Sequence, residues 1–227
     1  MEKHPFMKRA FAAAIDVLLI ALLTVFIAMP MSSLTGYKQA RSDVDNLFSY
    51  MEQTYGVRFN LTAQELADLN EEQSHRYEEA FAFFAGDEEN VRTYNRMVLG
   101  SYMTVLGSIL ISVLILELAV PLILKDGQTA GKKLMGLVVI RMDGRPINAL
   151  RLIARAVFGK YLVEIAVPVF TILEMYNGIT GSRSFLMVMG LFIVQAACMI
   201  LTKERRLIHD FLSGTRVVAQ YSEDLGV

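Results

Sequence analysis

From Ala10 to Met29 the chain reads AFAAAIDVLLIALLTVFIAM, in which Asp16 is the sole charge. At about 1.5 Å per residue this run is about 30 Å long, the thickness of a bilayer's hydrocarbon core. It predicts a membrane-spanning helix, and it sets a puzzle. A carboxylate inside such a helix costs at least a few kcal/mol, so one that persists has a partner, a wet cavity or a function. The run has a basic start in Lys3, Lys8 and Arg9. It is longer than a signal-peptide core, though, and ends in IAMPMSS without an A-x-A cleavage site, so it reads as a retained span.

Three further apolar stretches follow: VLGSYMTVLGSILISVLILELAVPLIL, YLVEIAVPVFTILEMY with the ARAVFGK before it, and FLMVMGLFIVQAACMILT. They predict spans over about 98–124, 157–176 and 185–202, after a first span over about 10–31. The 227 residues are 54% apolar and 20% charged, which fits membrane helices joined by aqueous segments. Charge patterning sets the orientation. Lys3, Lys8 and Arg9 precede the first span. Eight basic residues from Lys125 to Lys160 lie between the second and third, against Asp126 and Asp143. Lys203, Arg205, Arg206 and Arg216 follow the fourth. Four spans with both termini cytoplasmic put all these clusters on one side, as the positive-inside rule requires, whereas three spans do not.

The segment 38–96 is then extracytoplasmic, with twelve acidic residues against six basic ones. Thr62 stands three residues before Glu65, a capping box that opens a helix predicted to run to Gly86. Asp87 caps a further helix that runs into the second span. On the cytoplasmic side, Leu137–Ile140 and Thr215–Gln220 are β-like runs able to pair. Asp143-Gly144 marks a turn, and Asn148 is an N-cap. The residues YSEDLGV read as a frayed tail. No internal repeat is evident.

Several classes of function are excluded. Cys198 has no intrachain partner, and His4, His75 and His209 lack metal-ligand spacing, so neither a disulfide framework nor a metal site is expected. Gly127 to Lys132 has three residues between its glycines and Lys133 after the lysine, where a phosphate-binding P-loop has four and Ser or Thr. No nucleophile–base pair or cofactor fingerprint is present, so neither an enzyme nor a cofactor is predicted. No basic domain stands apart for nucleic acid.

RAFAAAID in the first span, DGQTAGKKLMGLVVIRMDGRPI after the second, and RRLIHDFLSGTRVV after the last resemble the RDD family of bacterial membrane proteins. The arginine and two aspartates for which the family is named map onto Arg9, Asp16 and Asp210. The chain has Ala130 where many members have proline. The motifs do not extend over Lys38 to Arg96, a longer first loop than many members have. The resemblance implies a multi-pass protein of the bacterial cytoplasmic (inner) membrane, in a family for some of whose members cation/proton exchange is proposed.

The fold class predicted is therefore an all-α membrane protein with four transmembrane helices, a helical extracytoplasmic insertion at 38–96 and a short cytoplasmic β element. Glu117 and Gln195 each lie seven residues inside the cytoplasmic end of their span, about 10 Å deep, level with Asp16; Glu164 enters from the same side. Lys160 and Glu164 are spaced for an intrahelical ion pair. Asp16, Glu117, Glu164 and Gln195 form the candidate proton or ion site, with Arg9, His209 and Asp210 at its mouth. Two carboxylates at one depth repel, so either Asp16 or Glu117 stays protonated unless a cation bridges them. Three readings stay open. One is a proton/monovalent-cation exchanger, which four spans would serve as a homo-oligomer. Another is an assembly, regulatory or immunity-like partner of a second membrane protein, bound through the acidic loop. In the third, the polar groups are interhelical glue alone, worth about 0.6 kcal/mol per contact.

Overall fold

The computed structural model describes residues 6–59, 61–124, 127–176, 182–202 and 206–220. The tail from Tyr221, the turn at 177–181 and the topology charges Lys3, Lys125, Asp126, Lys203 and Arg205 lie outside the described residues. Contacts divide the chain into two compact units, Met1–Ala28 with Val105–Val227, and Met29–Thr104.

Helix α1, Phe6–Leu34, buries Ala12, Asp16 and Ile20, each one turn beyond the last, on a single face. Its other faces are apolar and open, with Val17, Leu22 and Phe26 exposed. Helix α5, Glu88–Val113, continues through a π-helical stretch, Leu114–Ala119, into α6, Val120–Leu124. Helix α8, Ala149–Ile153, leads through a longer π-helical stretch, Ala154–Ala166, into α9, Val167–Tyr176. Three helices are long and apolar enough to cross a membrane: Phe6–Leu34, Glu88–Ile123 and Ala149–Tyr176. Helix α10 follows at Ser182–Leu201, where Phe185–Leu201 forms a shorter apolar helix.

Both π-helical stretches end on a shared sequence. ELAVP at 117–121 and EIAVP at 164–168 differ in one apolar residue. In each, the proline stands four residues after the glutamate, and with no N–H it cannot donate to that residue's carbonyl. A wider i→i+5 ladder just before the proline is a local solution to the missing bond. The expectation of no internal repeat is corrected here: five residues at a spacing of 47 are too short for a repeating folding unit, yet both copies lie where a π-helical stretch gives way to an α-helix.

The polar connections fold as predicted in part. Helix α7, Ala130–Leu134, is capped by Thr129. Strand β1, Leu137–Arg141, pairs antiparallel with β2, Thr215–Ala219, with Val139 opposite Val217. Leu137, Val139 and Val217 pack on Ala12. Asn148 caps α8, accepting from the Arg151 N–H at 3.2 Å. Helix α11, Ile208–Ser213, ends at Gly214 in the left-handed region, φ 61°.

In the unit Met29–Thr104, α2, Tyr37–Tyr55, buries Ala40, Val44 and Met51 and stops at Gly56 with φ 70°. The sequence reading left this helix out, although Ala40, Val44 and Met51 keep helical spacing. The helix predicted from Thr62 to Gly86 is two helices, α3, Ala63–Ala67, and α4, Glu71–Gly86. The Thr62–Glu65 box forms, but Asn70 accepts from the Gln73 N–H and starts a second box. An Asn side chain that captures a nearby N–H interrupts one helix in order to begin another. Phe48, Phe59, Phe84 and Tyr94 pack edge-on and tilted in the core of this unit.

Candidate functional site

Asp16 is 5% exposed, and the GQTAGKK segment closes around it. The Thr129 hydroxyl donates to Oδ2 at 2.5 Å, the Gly131 N–H donates to Oδ1 at 2.8 Å, and Lys132 Nζ lies 3.4 Å from Oδ2. This geometry requires glycine at 131, because a Cβ there would run into the Ala12 carbonyl and come within 2.8 Å of Asp16 Oδ1. The loop that resembles a phosphate cradle thus holds a carboxylate of its own chain.

Glu117 is 3% exposed and pairs with Lys160, and its Oε2 lies 3.9 Å from Lys132 Nζ. Lys132 therefore stands between Asp16 and Glu117. The bridging cation that two neighbouring carboxylates require is here a side chain. Burial, with the charges of Lys160 and Arg155 close by, pulls the Lys132 amine down to about 8, against the opposing pull of Glu117 and Asp16.

Asp210 is fully buried, not at a mouth as predicted. It pairs with Arg155 and lies 3.3 Å from Arg9 Nη2, and it accepts from the Leu207 N–H at 3.1 Å. Burial would raise its carboxyl, but Arg155 above all holds it well below the usual carboxylate range. Arg155 also donates to the Thr215 hydroxyl at 2.8 Å, which ties the pair to β2. The physical reason for the correction is that α11 turns HD inward, where the guanidinium groups of α1 and the Ala154–Ala166 stretch can neutralise it.

Glu164 joins His209 instead of Lys160: His209 Nδ1 lies 2.8 Å from Oε1, and the His209 N–H donates to the same oxygen. The predicted Lys160–Glu164 pair is replaced: Lys160 turns to the more deeply buried Glu117, and Glu164 to His209. Burial and the Arg155 charge pull the His209 imidazole below its ordinary value, so the ring is neutral near pH 7. Gln195 accepts from the Ile208 N–H at 3.1 Å.

The π-helical turn decides which face these charges share. At the about 100° per residue of an α-helix, Lys160 and Glu164 would lie about 140° and 180° around from Arg155. At the about 82° of a π-helix, all three fall within about 50°. Gly159, on the same face, lets the backbone of His209 approach; a Cβ there would sit 2.5 Å from His209 Cβ.

A cavity of about 80 Å³ lies among these groups, lined by Arg9, Asp16, Lys132, Arg155, Lys160 and His209. Of the predicted residues, Arg9, Asp16 and His209 line it directly. Glu117 reaches it through Lys132 and Lys160, Asp210 through Arg9 and Arg155, and Glu164 through His209. Gln195 does not line it. The sequence assigns Lys132 and Arg155 to the topology charges alone, and Lys160 to those charges and to a pair with Glu164. Three signals could have exposed their role: the cap-forming Thr129 before Lys132, the position of Lys160 within a predicted span and of Arg155 two residues before it, and the EIAVP repeat that follows them. Among the described residues, no group of three or more His, Cys, Asp or Glu could hold a metal ion.

In the unit of Met1–Ala28 with Val105–Val227, fold and site together define a helical arrangement whose apolar side chains face outward and whose paired ions face inward, the reverse of a water-soluble core. The chain belongs to the RDD family, whose model matches residues 4–214. No curated protein and no solved structure matches it. The resemblance singled out Arg9, Asp16 and Asp210, and all three lie in this network.

Proposed function

We propose that this protein is a non-enzymatic, multi-pass membrane protein that exchanges protons for a monovalent cation through the cavity beside Asp16. The observation that carries this reading is the convergence of Asp16 and Glu117, from two long apolar helices, on Lys132 at the edge of a small cavity. Burying ions costs several kcal/mol each even when they are paired, and apolar residues of similar volume often stabilise a fold better. A network of this size is therefore poorly explained by stability alone, whereas exchangeable charge in a water-sized space is what ion coupling needs. On this reading α10 is the fourth span and both termini are cytoplasmic, because the basic clusters then share a side. The membrane is the bacterial inner one, and the active form is a homo-oligomer.

The test is proton flux in proteoliposomes under imposed Na⁺, K⁺ or Li⁺ gradients. Wild type should show cation-dependent flux, and Asp16→Asn and Glu117→Gln should abolish it while remaining monodisperse. A wild type without flux for all three ions would sink the exchanger.

A second reading has its own observation. Tyr50, Phe81 and Leu66 are exposed on the acidic unit, at 53%, 52% and 41%. This reading makes the unit a docking surface for another membrane protein. It predicts that deleting residues 63–86 removes a co-purifying partner without changing flux.

A further inference from the structure

The cavity between α8, α11 and the end of β1 takes no part in the charge network. It is open, about 560 Å³ in volume, and lined by Arg141, Asn148, Leu150, Arg151, Phe211 and Leu212, with no carboxylate in its wall. That volume is in the range of a small-molecule site. We infer that this groove binds the headgroup of an anionic phospholipid, with Arg141 and Arg151 on the phosphate and Leu150 and Leu212 against the acyl chains.

Two observations beyond the charge point to a missing acceptor. Arg141 pairs with Asp143 at 2.9 Å, yet its Nε is buried with no hydrogen-bond partner among the described residues. Arg151 is held by one nitrogen: Nη1 donates to the Ser213 carbonyl at 2.9 Å and the Gly214 carbonyl at 3.2 Å. A guanidinium carries five N–H donors, so several of its donors remain available to an anion. Gly214 keeps this arrangement open, since a Cβ there would strike Arg151 Nη1. Planar, paired guanidinium groups suit phosphate oxygens better than point charges do.

The apolar rim selects a lipid over a free anion. Leu150 is 73% exposed, Leu212 55% and Phe211 43%, and α8 is the first turn of the long apolar helix that ends at Tyr176. Large apolar side chains left open beside guanidinium groups, at the end of a spanning helix, match the boundary between headgroups and acyl chains. The inference needs these helices to lie in a bilayer but is independent of ion exchange.

Native mass spectrometry of the detergent-purified full chain, offered dioleoyl-phosphatidylglycerol or dioleoyl-phosphatidylcholine, tests it. One phosphatidylglycerol should be retained in preference to phosphatidylcholine by roughly thirtyfold, the selectivity expected of two arginines near a headgroup. Arg141→Gln should cut that preference severalfold, and so should Leu212→Glu, which leaves both arginines in place. Inorganic phosphate should not displace the lipid. Equal retention of the two lipids, displacement by phosphate, or an unchanged preference in both variants would overturn the proposal. Arg151→Gln is the less decisive variant, because it also releases the end of α11.

Discussion

Both compact units are laced with ion pairs, but they use them in opposite ways. In the unit Met29–Thr104 the pairs are local and wet: Arg41–Asp45, Arg76–Glu72 and Arg92–Glu88 are one helical turn apart, with every side chain at least 41% exposed. In the other unit the pairs of the central network join distant elements and are dry: Lys132–Asp16 is 9% and 6% exposed, and Arg155–Asp210 is 4% and 0%, while the turn pairs of Asp143 with Arg141 and Arg145 stay at the surface. The same chemistry has a different price in each place. Exposed pairs gain little because water screens them, whereas a buried pair broken on one side leaves an ion with nothing to replace its partner. A count of ion pairs therefore says little about this protein until burial is known.

The sharpest way to break this contrast is to remove one member of a buried pair. Asp16→Ala should destabilise the protein by about 3–5 kcal/mol in a denaturant titration in detergent, because Lys132 loses its hydrogen-bonded partner in a dry site. Asp210→Ala should cost a similar amount, by stranding Arg155. A loss below about 1 kcal/mol for both would show that water enters the network freely.

Gly131→Ala comes next. Its methyl group would collide with the Ala12 carbonyl and force α1 away from the loop. Overpacking of this kind costs about 1–3 kcal/mol, and Gly159→Ala should behave alike against His209. Thermal unfolding of each variant measures the loss, while no comparable loss is expected for Gly86→Ala, which meets nothing within 4 Å.

Within the unit that holds the dry pairs, two buried ions should act on stability in different pH windows. The folded Asp210 carboxyl is depressed, so its contribution to stability is complete above the unfolded value of about 3.9 and is lost as pH falls through the folded value. Lys132 acts in the other direction. Its folded value of about 8 is below that of an unfolded lysine, so between about 8 and about 10.4 the unfolded chain binds more protons and stability rises with pH. Melting temperatures measured across that alkaline window should climb for wild type and flatten for Lys132→Met.

The smallest effects belong to the exposed unit. Asn70→Ala removes the cap of α4 and should cost about 1 kcal/mol. Glu88→Gln should cost only about 0.3–0.5 kcal/mol, fading with added salt. If Glu88→Gln rivalled Asp16→Ala, the contrast between the units would be wrong.

What could be read from the chain without its fold follows from local physics. A twenty-residue run with a single charge forms a helix, Thr62 and Asn148 cap with the three residues that follow, and Leu137–Ile140 is a short apolar run rich in β-branched residues, as a strand prefers. The family motifs could also be read, since they are contiguous. The partners of Asp16, Glu117, Glu164 and Asp210 could not. The depths of Asp16, Glu117, Glu164 and Gln195 along four separate helices suggested one shared site, with Asp210 at its mouth. Which residue meets which depends instead on rotation about each helix axis, and depth does not encode rotation. Two π-helical stretches, each leading into a Glu-x-Ala-Val-Pro segment, set that rotation, and a shift of about 18° per residue moves Lys160 and Glu164 from the far side of Arg155 to the same side. Tertiary structure then did what sequence spacing could not: it placed Lys132 between two carboxylates and buried Asp210 between two arginines. An ion in a low-dielectric interior is stable only beside its counter-charge, wherever in the chain that charge is found.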